Sequence, residues 1–220
     1  MTDRWLHLRL TAPLLAFGGV SIDHVGPTRD FPSASALTGL FANALGWRRE
    51  QTALHQALQD RLVFGALIVA QGRLLTDIQN AKLEANDRGW TTWGRPEERA
   101  GATYDSPHRR RRDYLADHEC RVVLHLVPGD DPDLETLAAA LDRPARPLFI
   151  GRKHCLPSAP ILGGWVEAVD AHAALLALSL PGRALWPIDR DTAGSDLADL
   201  RNWTTGLHGG SRRVCEGMLT

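Results

Sequence analysis

The segment Arg146-Pro147-Leu148-Phe149-Ile150-Gly151-Arg152-Lys153-His154-Cys155-Leu156-Pro157-Ser158-Ala159-Pro160 concentrates groups that can hold an anion. An apolar run ends at Gly151, where a residue without Cβ lets backbone approach a ligand closely. Arg152, Lys153 and His154 follow at once, and a guanidinium or ammonium there can meet phosphate. The same residues also suit a plain basic turn on the surface. A second cationic cluster, Arg109, Arg110, Arg111 and Arg112, is followed by Tyr114. Charge beside an aromatic ring is what single-stranded RNA recognition uses. Side chains alternate along a strand, so Arg110 and Arg112 would share one face and Arg109 and Arg111 the other.

Nine histidines raise the question of acid–base chemistry, and His24, His108, His118 and His154 lie near the basic segments. A metal-free ribonuclease using histidine as general acid or base is therefore one reading. No HxE or HxxxH arrangement points to a catalytic metal, and the Walker A, GxGxxG and GxSxG patterns are missing. Cys155 stands beside His154, but neighbours on a strand face opposite ways, which favours a structural thiol. The sequence implies no cofactor.

The 220 residues carry 25 basic and 26 acidic side chains, and all the basic ones except Lys82 and Lys153 are arginine. Arginine binds phosphate bidentately and stacks on bases, although codon bias in a GC-rich genome produces the same skew. A total near neutrality excludes sequence-blind coating of a polyanion and leaves a local basic face as the form such binding must take. Cys120, Cys155 and Cys215 lie far apart without CxxC spacing, so no disulfide framework is expected. The first ten residues lack the continuous apolar region of a signal peptide, and no run is long enough to span a bilayer. The expected location is cytoplasmic, with no membrane partner.

Those groups need elements to position them. Leu6, Leu8 and Leu10 alternate with Trp5, His7 and Arg9, which predicts a half-buried strand; the Pro/Gly-rich segment 11–32 then reads as a long loop. Leu37, Leu40, Phe41, Ala44 and Leu45 fall on one helical face, with Ser33 as N-cap and Gly46 as stop. Leu54, Ala57 and Leu58 suggest a shorter helix, and 62–70 a buried strand. Residues 73–119 lose apolar periodicity and read as an insertion projecting from the core, with Trp90 and Trp93 either stacking on bases or meeting a neighbouring subunit. A strand at 121–127, a helix at 134–141 and a strand at 165–169 follow. This order predicts an α+β, ferredoxin-like βαββαβ domain built from 1–72 and 120–170, with the insertion at 73–119 and a short C-terminal extension at 171–220.

Four segments together resemble a known family. Arg146 to Pro160 is similar to the Pro-x-Phe/Tyr-Leu/Ile-Gly-Arg-Arg/Lys-x-Cys signature of the CRISPR-associated RAMP proteins that hold the 5′ end of the guide RNA in Cascade-type complexes, the type I-E CasD subunits in particular. Leu8 to Gly18, Pro27 to Leu40 and Arg112-Asp113-Tyr114-Leu115-Ala116-Asp117 resemble three further motifs of that family, in family order. The resemblance implies a ferredoxin-like fold with a β-hairpin thumb. It implies a non-catalytic subunit that caps the CRISPR RNA 5′ handle and contacts the backbone and large subunits of the complex, meeting target DNA only through it. It places the handle against the helix start at Ser33 and Ser35, where free backbone N–H groups favour phosphate. Arg29 precedes that turn, and the thumb motif favours Arg112. Some relatives cleave precursor RNA, so a CRISPR RNA-processing endoribonuclease is the alternative, and a small-molecule enzyme on the same fold a further one. Position 34 is alanine where relatives often carry arginine, and only Gly210 to Val214 matches the family loosely beyond Asp170.

Overall fold

The alternation at the N-terminus runs further than its turn-forming residues suggest. In the computed structural model, which describes residues 2–20, 23–81, 89–90, 96–97, 108–189 and 191–220, the first strand β1 is Asp3–Leu15 and takes in Pro13. Proline is tolerated there because β1 has lost one neighbour by that point: its pairing with β8 (Leu162–Ala168) ends at Leu8. On the other side the ladder to β7 (His108–Leu126) skips Pro13, opposite Asp117, whose φ is +56°. A two-residue strand β2 (Val25–Gly26) follows, then α1 (Ala34–Ala44) and α2 (Thr52–Arg61). Ser33 caps α1, its Oγ accepting from the Ala36 amide at 3.1 Å. Helix α2 buries His55, Leu58 and Gln59; Leu54 and Ala57, expected on its inner face, are exposed. Gln59 is drawn inward because its amide hydrogen-bonds the backbone of Arg201 in both directions.

Strand β3 (Leu62–Ala70) is apolar throughout and buried on both faces over most of its length. It is followed by β4 (Arg73–Ala81), by the two-residue strands β5 (Gly89–Trp90) and β6 (Pro96–Glu97), and by β7. The outer half of β7 pairs with β4 from His108 to Ala116, while the inner half lies between β1 and β3. One strand thus belongs both to the sheet and to a hairpin that leaves it. Lys82, Trp93 and Tyr104 lie outside the described residues, as do the side chains of Trp90 and His108. Helix α3 (Leu134–Asp142), capped by Asp133, returns the chain to β8.

The order β8-β1-β7-β3, all antiparallel, with α1 and α2 between β1 and β3 and α3 between β7 and β8, is the ferredoxin-like arrangement. The C-terminal residues do not stop there. Helix α4 (Ala171–Ala177) is followed by β9 (Gly182–Pro187), β10 (Ser195–Arg201) and β11 (His208–Leu219), which lengthen the same sheet beyond β3 in the order β3-β9-β11-β10. The polar tail is strand because β3 would otherwise end the sheet as an exposed apolar edge.

Both faces of the sheet are covered. Leu6, Leu8, Leu10, Phe64, Val122 and Leu124 pack against Leu37, Phe41, Leu58 and Leu137 of the first three helices. On the other face Trp5, Leu67, Val123 and Ala184 pack against Ala171, Ala174 and Leu175 of α4. Each large side chain so buried contributes roughly 1.5–3 kcal/mol, and the sheet becomes a rigid floor for the loops at its ends.

Candidate nucleic-acid interface

At the root of the β4–β7 hairpin a cleft of about 800 Å³ opens between several separated parts of the chain. Ala16 to Gly19 follow β1, Gly26, Pro27 and Arg29 run on from β2, and residues between Ser33 and Asn43 belong to the cap and one side of α1. Arg112 comes from the hairpin, and Phe149, Gly151 and Arg152 from the turn after α3. Of the residues expected at a site, Arg29, Ser33, Ser35, Arg112, Gly151 and Arg152 line this cleft. Four guanidinium-bearing residues, Arg29, Arg112, Arg152 and Arg201, face a single carboxylate, Asp199, so the cleft as a whole is cationic.

Most of those groups are already engaged. Gly151 has φ +88°, and a Cβ there would sit 1.6 Å from the Ala16 carbonyl oxygen, so only glycine lets this turn close on the end of β1. The Ala16 amide donates to the Ile150 carbonyl at 3.3 Å, which ties the two segments together. Arg152 donates to the carbonyl oxygens of Asp113 and Gly26, both at 2.9 Å, and lies 4.3 Å above the Tyr114 ring. It therefore fastens the hairpin root, β2 and the glycine turn to one another. Tyr114 is only 2% exposed, so a base reaches its ring only after Arg152 moves. Burial pushes the Cys155 thiol up, against the nearby Arg152, and leaves it a protonated packing group.

The helix start is similarly occupied. Ser33 Oγ lies 3.0 Å from Ser35 Oγ, and the Ala34 amide donates to Asp199 Oδ2 at 3.2 Å. A carboxylate from β10 thus sits where a phosphate was expected to meet α1. Asp199 is itself held by Arg212 Nε at 3.0 Å, and burial holds the Arg212 guanidinium below its usual range against the pull of Asp199. Arg29 donates to the Ala198 carbonyl at 2.7 Å, joining the same strand to the loop before α1.

Arg112 is the expected residue with most freedom toward the cleft. Its Nε donates to Gln79 across the hairpin at 3.0 Å, while its Nη1 side lies beside Gly26, where glycine leaves room for both Arg112 and Arg152. Arg109, Arg110 and Arg111 are exposed outside the cleft, opposite Asn80, Gln79 and Ile78, and the Arg111 amide donates to the His24 carbonyl at 2.9 Å. Lys153 and His154 are exposed on the glycine turn, outside the cleft lining, with the His154 ring 5.3 Å from that of Tyr114. His118 is 1% exposed at the hairpin root, its Nδ1 accepting from the Gly72 amide at 3.1 Å. Burial lowers its pKa, against the opposing influence of Asp30. His24, His118 and His154 are carried by three different segments, the loop after β1, the hairpin root and the glycine turn.

The wall built by the C-terminal strands was not foreseen. Ala198, Asp199, Leu200, Arg201, Trp203 and His208 all come from the C-terminal strands and the turn between them. Trp203 donates from Nε1 to Gln59 at 3.1 Å and packs on His55 with ring centroids 4.7 Å apart. Arg201 lies 5.2 Å from the Trp203 ring. The loosely matched Arg212-Arg213-Val214 was the one available signal, since it marks the strand whose Arg212 secures Asp199.

The profile of the family described as CRISPR-associated protein (Cas_Cas5) matches residues 5–215, nearly the whole chain. The chain belongs to this Cas5 family. Among curated Cas5-like proteins it is 30% identical over 172 residues to the Escherichia coli (strain K12) protein named CRISPR system Cascade subunit CasD, covering 78% of this chain and 75% of that one. A solved chain titled CRISPR RNA-guided surveillance complex superposes with a TM-score of 0.71 at 21% identity, covering 97% of this chain and 89% of that chain. Another, titled Crystal structure of Cas protein, gives 0.64 at 25% identity over 99% and 95%. The fold read from strand order is therefore the Cas5 fold, and the four motif segments that carried the resemblance are those that meet at the cleft. Among the described residues no helix is long and apolar enough to cross a membrane.

Proposed function

We propose that this Cas5-family chain is a non-catalytic, cytoplasmic subunit of a type I CRISPR surveillance complex, of the I-E kind, that binds and caps the 5′ handle of the CRISPR RNA. In this reading residues 73–119 act as thumb, the segments 1–72 and 120–170 as body, and the backbone and large subunits dock on other faces. The observation that carries it is the convergence of four distant segments on one cationic cleft at the hairpin root, supported by similarity to a Cascade subunit. Phosphates would meet Arg112, Arg29 and the exposed Lys153, while Arg152, Gly151, Ser33 and Ser35 hold the cleft's shape. The exposed Arg109, Arg110, Arg111 and His154 extend the basic surface beyond the cleft, and Tyr114 supports Arg152.

The test is binding of the purified protein to a repeat-derived RNA in EDTA, followed over a salt series and analysed for cleavage. The expected outcome is salt-dependent binding of intact RNA, weakened by Arg112→Ala. Site-specific cutting that disappears on substituting His24, His108, His118 or His154 would establish the endoribonuclease instead. Absence of RNA affinity at every salt concentration, both alone and with the other complex subunits, would remove the reading altogether.

A further inference from the structure

A second cleft, of about 530 Å³, lies on the α4 face at the other end of β1. Trp186 contributes an aromatic wall beside Trp5, which is only 3% exposed, and His172 stacks on Trp186 with centroids 4.3 Å apart and rings 29° from parallel. His125 closes the side next to Trp5, with centroids 5.3 Å apart, and its Nδ1 lies 3.0 Å from the Arg4 carbonyl oxygen. Three carboxylates, Asp3, Asp170 and Asp189, lie around these rings. Among the described residues no lysine or arginine lines the cleft. Arg213, which donates to the Thr192 carbonyl at the rim, pairs with Asp196 instead, and Arg190 is outside the described residues.

The chemistry of these walls selects a ligand. Three carboxylates around a space repel phosphate, so a nucleic-acid backbone is disfavoured here. A partly exposed indole and imidazole lining the same cleft as carboxylates suit a flat cation with an apolar stem: an accessible ring attracts the charge while a carboxylate takes the N–H fork. Arginine has that form and is enriched at the centres of protein interfaces. Asp170 caps α4 by accepting from the Ala173 amide at 2.7 Å, whereas Asp3 and Asp189 are exposed and form no ion pair among the described residues. Val169, 60% exposed at the cleft, offers apolar surface for the stem.

We infer that this cleft is a docking pocket for an arginine side chain presented by a protein partner, separate from the nucleic-acid cleft. The eleven residue steps from Trp5 to Ala16, ten of them within β1, put roughly 35 Å between the two sites, so both can be filled at once.

The experiment titrates ¹⁵N-labelled protein with arginine methyl ester and, in parallel, with citrulline methyl ester and AMP, while the Trp186 indole and His172 signals are followed. The expected result is a saturable shift with the arginine ester alone, weakened at least tenfold in the double variant Asp3→Asn/Asp189→Asn. Both substituted side chains are exposed, so the variant keeps the fold, which its remaining spectrum verifies. A cleft that responds to AMP, does not distinguish citrulline from arginine, or binds the arginine ester equally well in the double variant overturns the inference. RNA binding by that same variant is expected to be unchanged, which keeps this result apart from the outcome at the nucleic-acid cleft.

Discussion

The two clefts at opposite ends of β1 differ in how their charges are used. At the hairpin root the cations and the one carboxylate are bonded into the walls: Arg152 to Asp113 and Gly26, Arg29 to Ala198, Asp199 to Ala34 and Arg212. In the aromatic cleft Asp3 and Asp189 stand at the surface, with Asp170 alone committed to a cap. A charge that holds a wall contributes stability and is partly withdrawn from a ligand. An uncommitted charge contributes little to folding and is available to a partner. The first cleft is therefore preorganised by its own residues, and the second awaits a counter-charge.

The largest effect that tests this contrast is expected at Gly151. Replacement by alanine adds a Cβ that overlaps the Ala16 carbonyl and forces a side chain into positive φ. Strain and overlap together should cost about 3–5 kcal/mol. Melting should fall by about 10 °C for a chain of this size, and RNA binding should be lost with it. A melting point equal to that of the parent would show that the turn does not close on β1 as described.

Asp199→Ala comes next. Its side chain is fully buried against Arg212, so its loss leaves an unpaired guanidinium and an uncapped amide in the interior. Denaturant unfolding should show a loss of about 3 kcal/mol. The corresponding change in the other cleft, Asp3→Asn with Asp189→Asn, should stay within about 0.5 kcal/mol. Equal losses at the two sites would erase the distinction between them.

Within the first cleft, Arg152→Ala and Arg112→Ala should separate wall from ligand contact. Arg152→Ala removes two hydrogen bonds from a charged donor and should cost about 2 kcal/mol of stability. Arg112→Ala should leave stability within about 0.5 kcal/mol while reducing the log–log salt slope of RNA binding by about 1. The reverse pattern would assign the two arginines to each other's roles.

The smallest effect concerns pH. Burial lowers the folded pKa of His118 and of His7 below the ordinary value of 6.5, so the unfolded chain takes up protons that the folded chain refuses. Stability is then fully present above 6.5 and declines as pH falls below it. Thermal melting between pH 7 and pH 5 should show this decline, and His118→Gln, whose side-chain oxygen can accept the Gly72 amide, should flatten it. An unchanged slope in that variant would place the proton uptake elsewhere.

The ferredoxin-like core was legible because its elements carry strong local patterns. Leu6, Leu8 and Leu10 alternate, Leu37, Phe41 and Ala44 recur at helical spacing, and Ser33 has the oxygen that a cap requires. The short reading of β1 failed at Pro13, because proline signals a break when sheet edges are unknown and is harmless once β8 has ended. The apolar run 148–150 leads into the glycine turn, where the Ile150 amide donates to the Cys155 carbonyl. The C-terminal strands went unread because β9 to β11 depend on the open edge of β3, which no local pattern reveals.

The sequence by itself determined the strand–helix order, the capped helices and the four motif segments, because caps, periodicity and glycine punctuation act over a few residues. It also determined which side chains could carry charge. Tertiary structure decided which charges are free. Burial of Tyr114 beneath Arg152, the seat of Asp199 at the start of α1, and the meeting of Trp5 with Trp186 and Asp189 each join residues far apart in the chain. Whether a cation meets a ligand or its own wall depends on distances that only the folded chain sets.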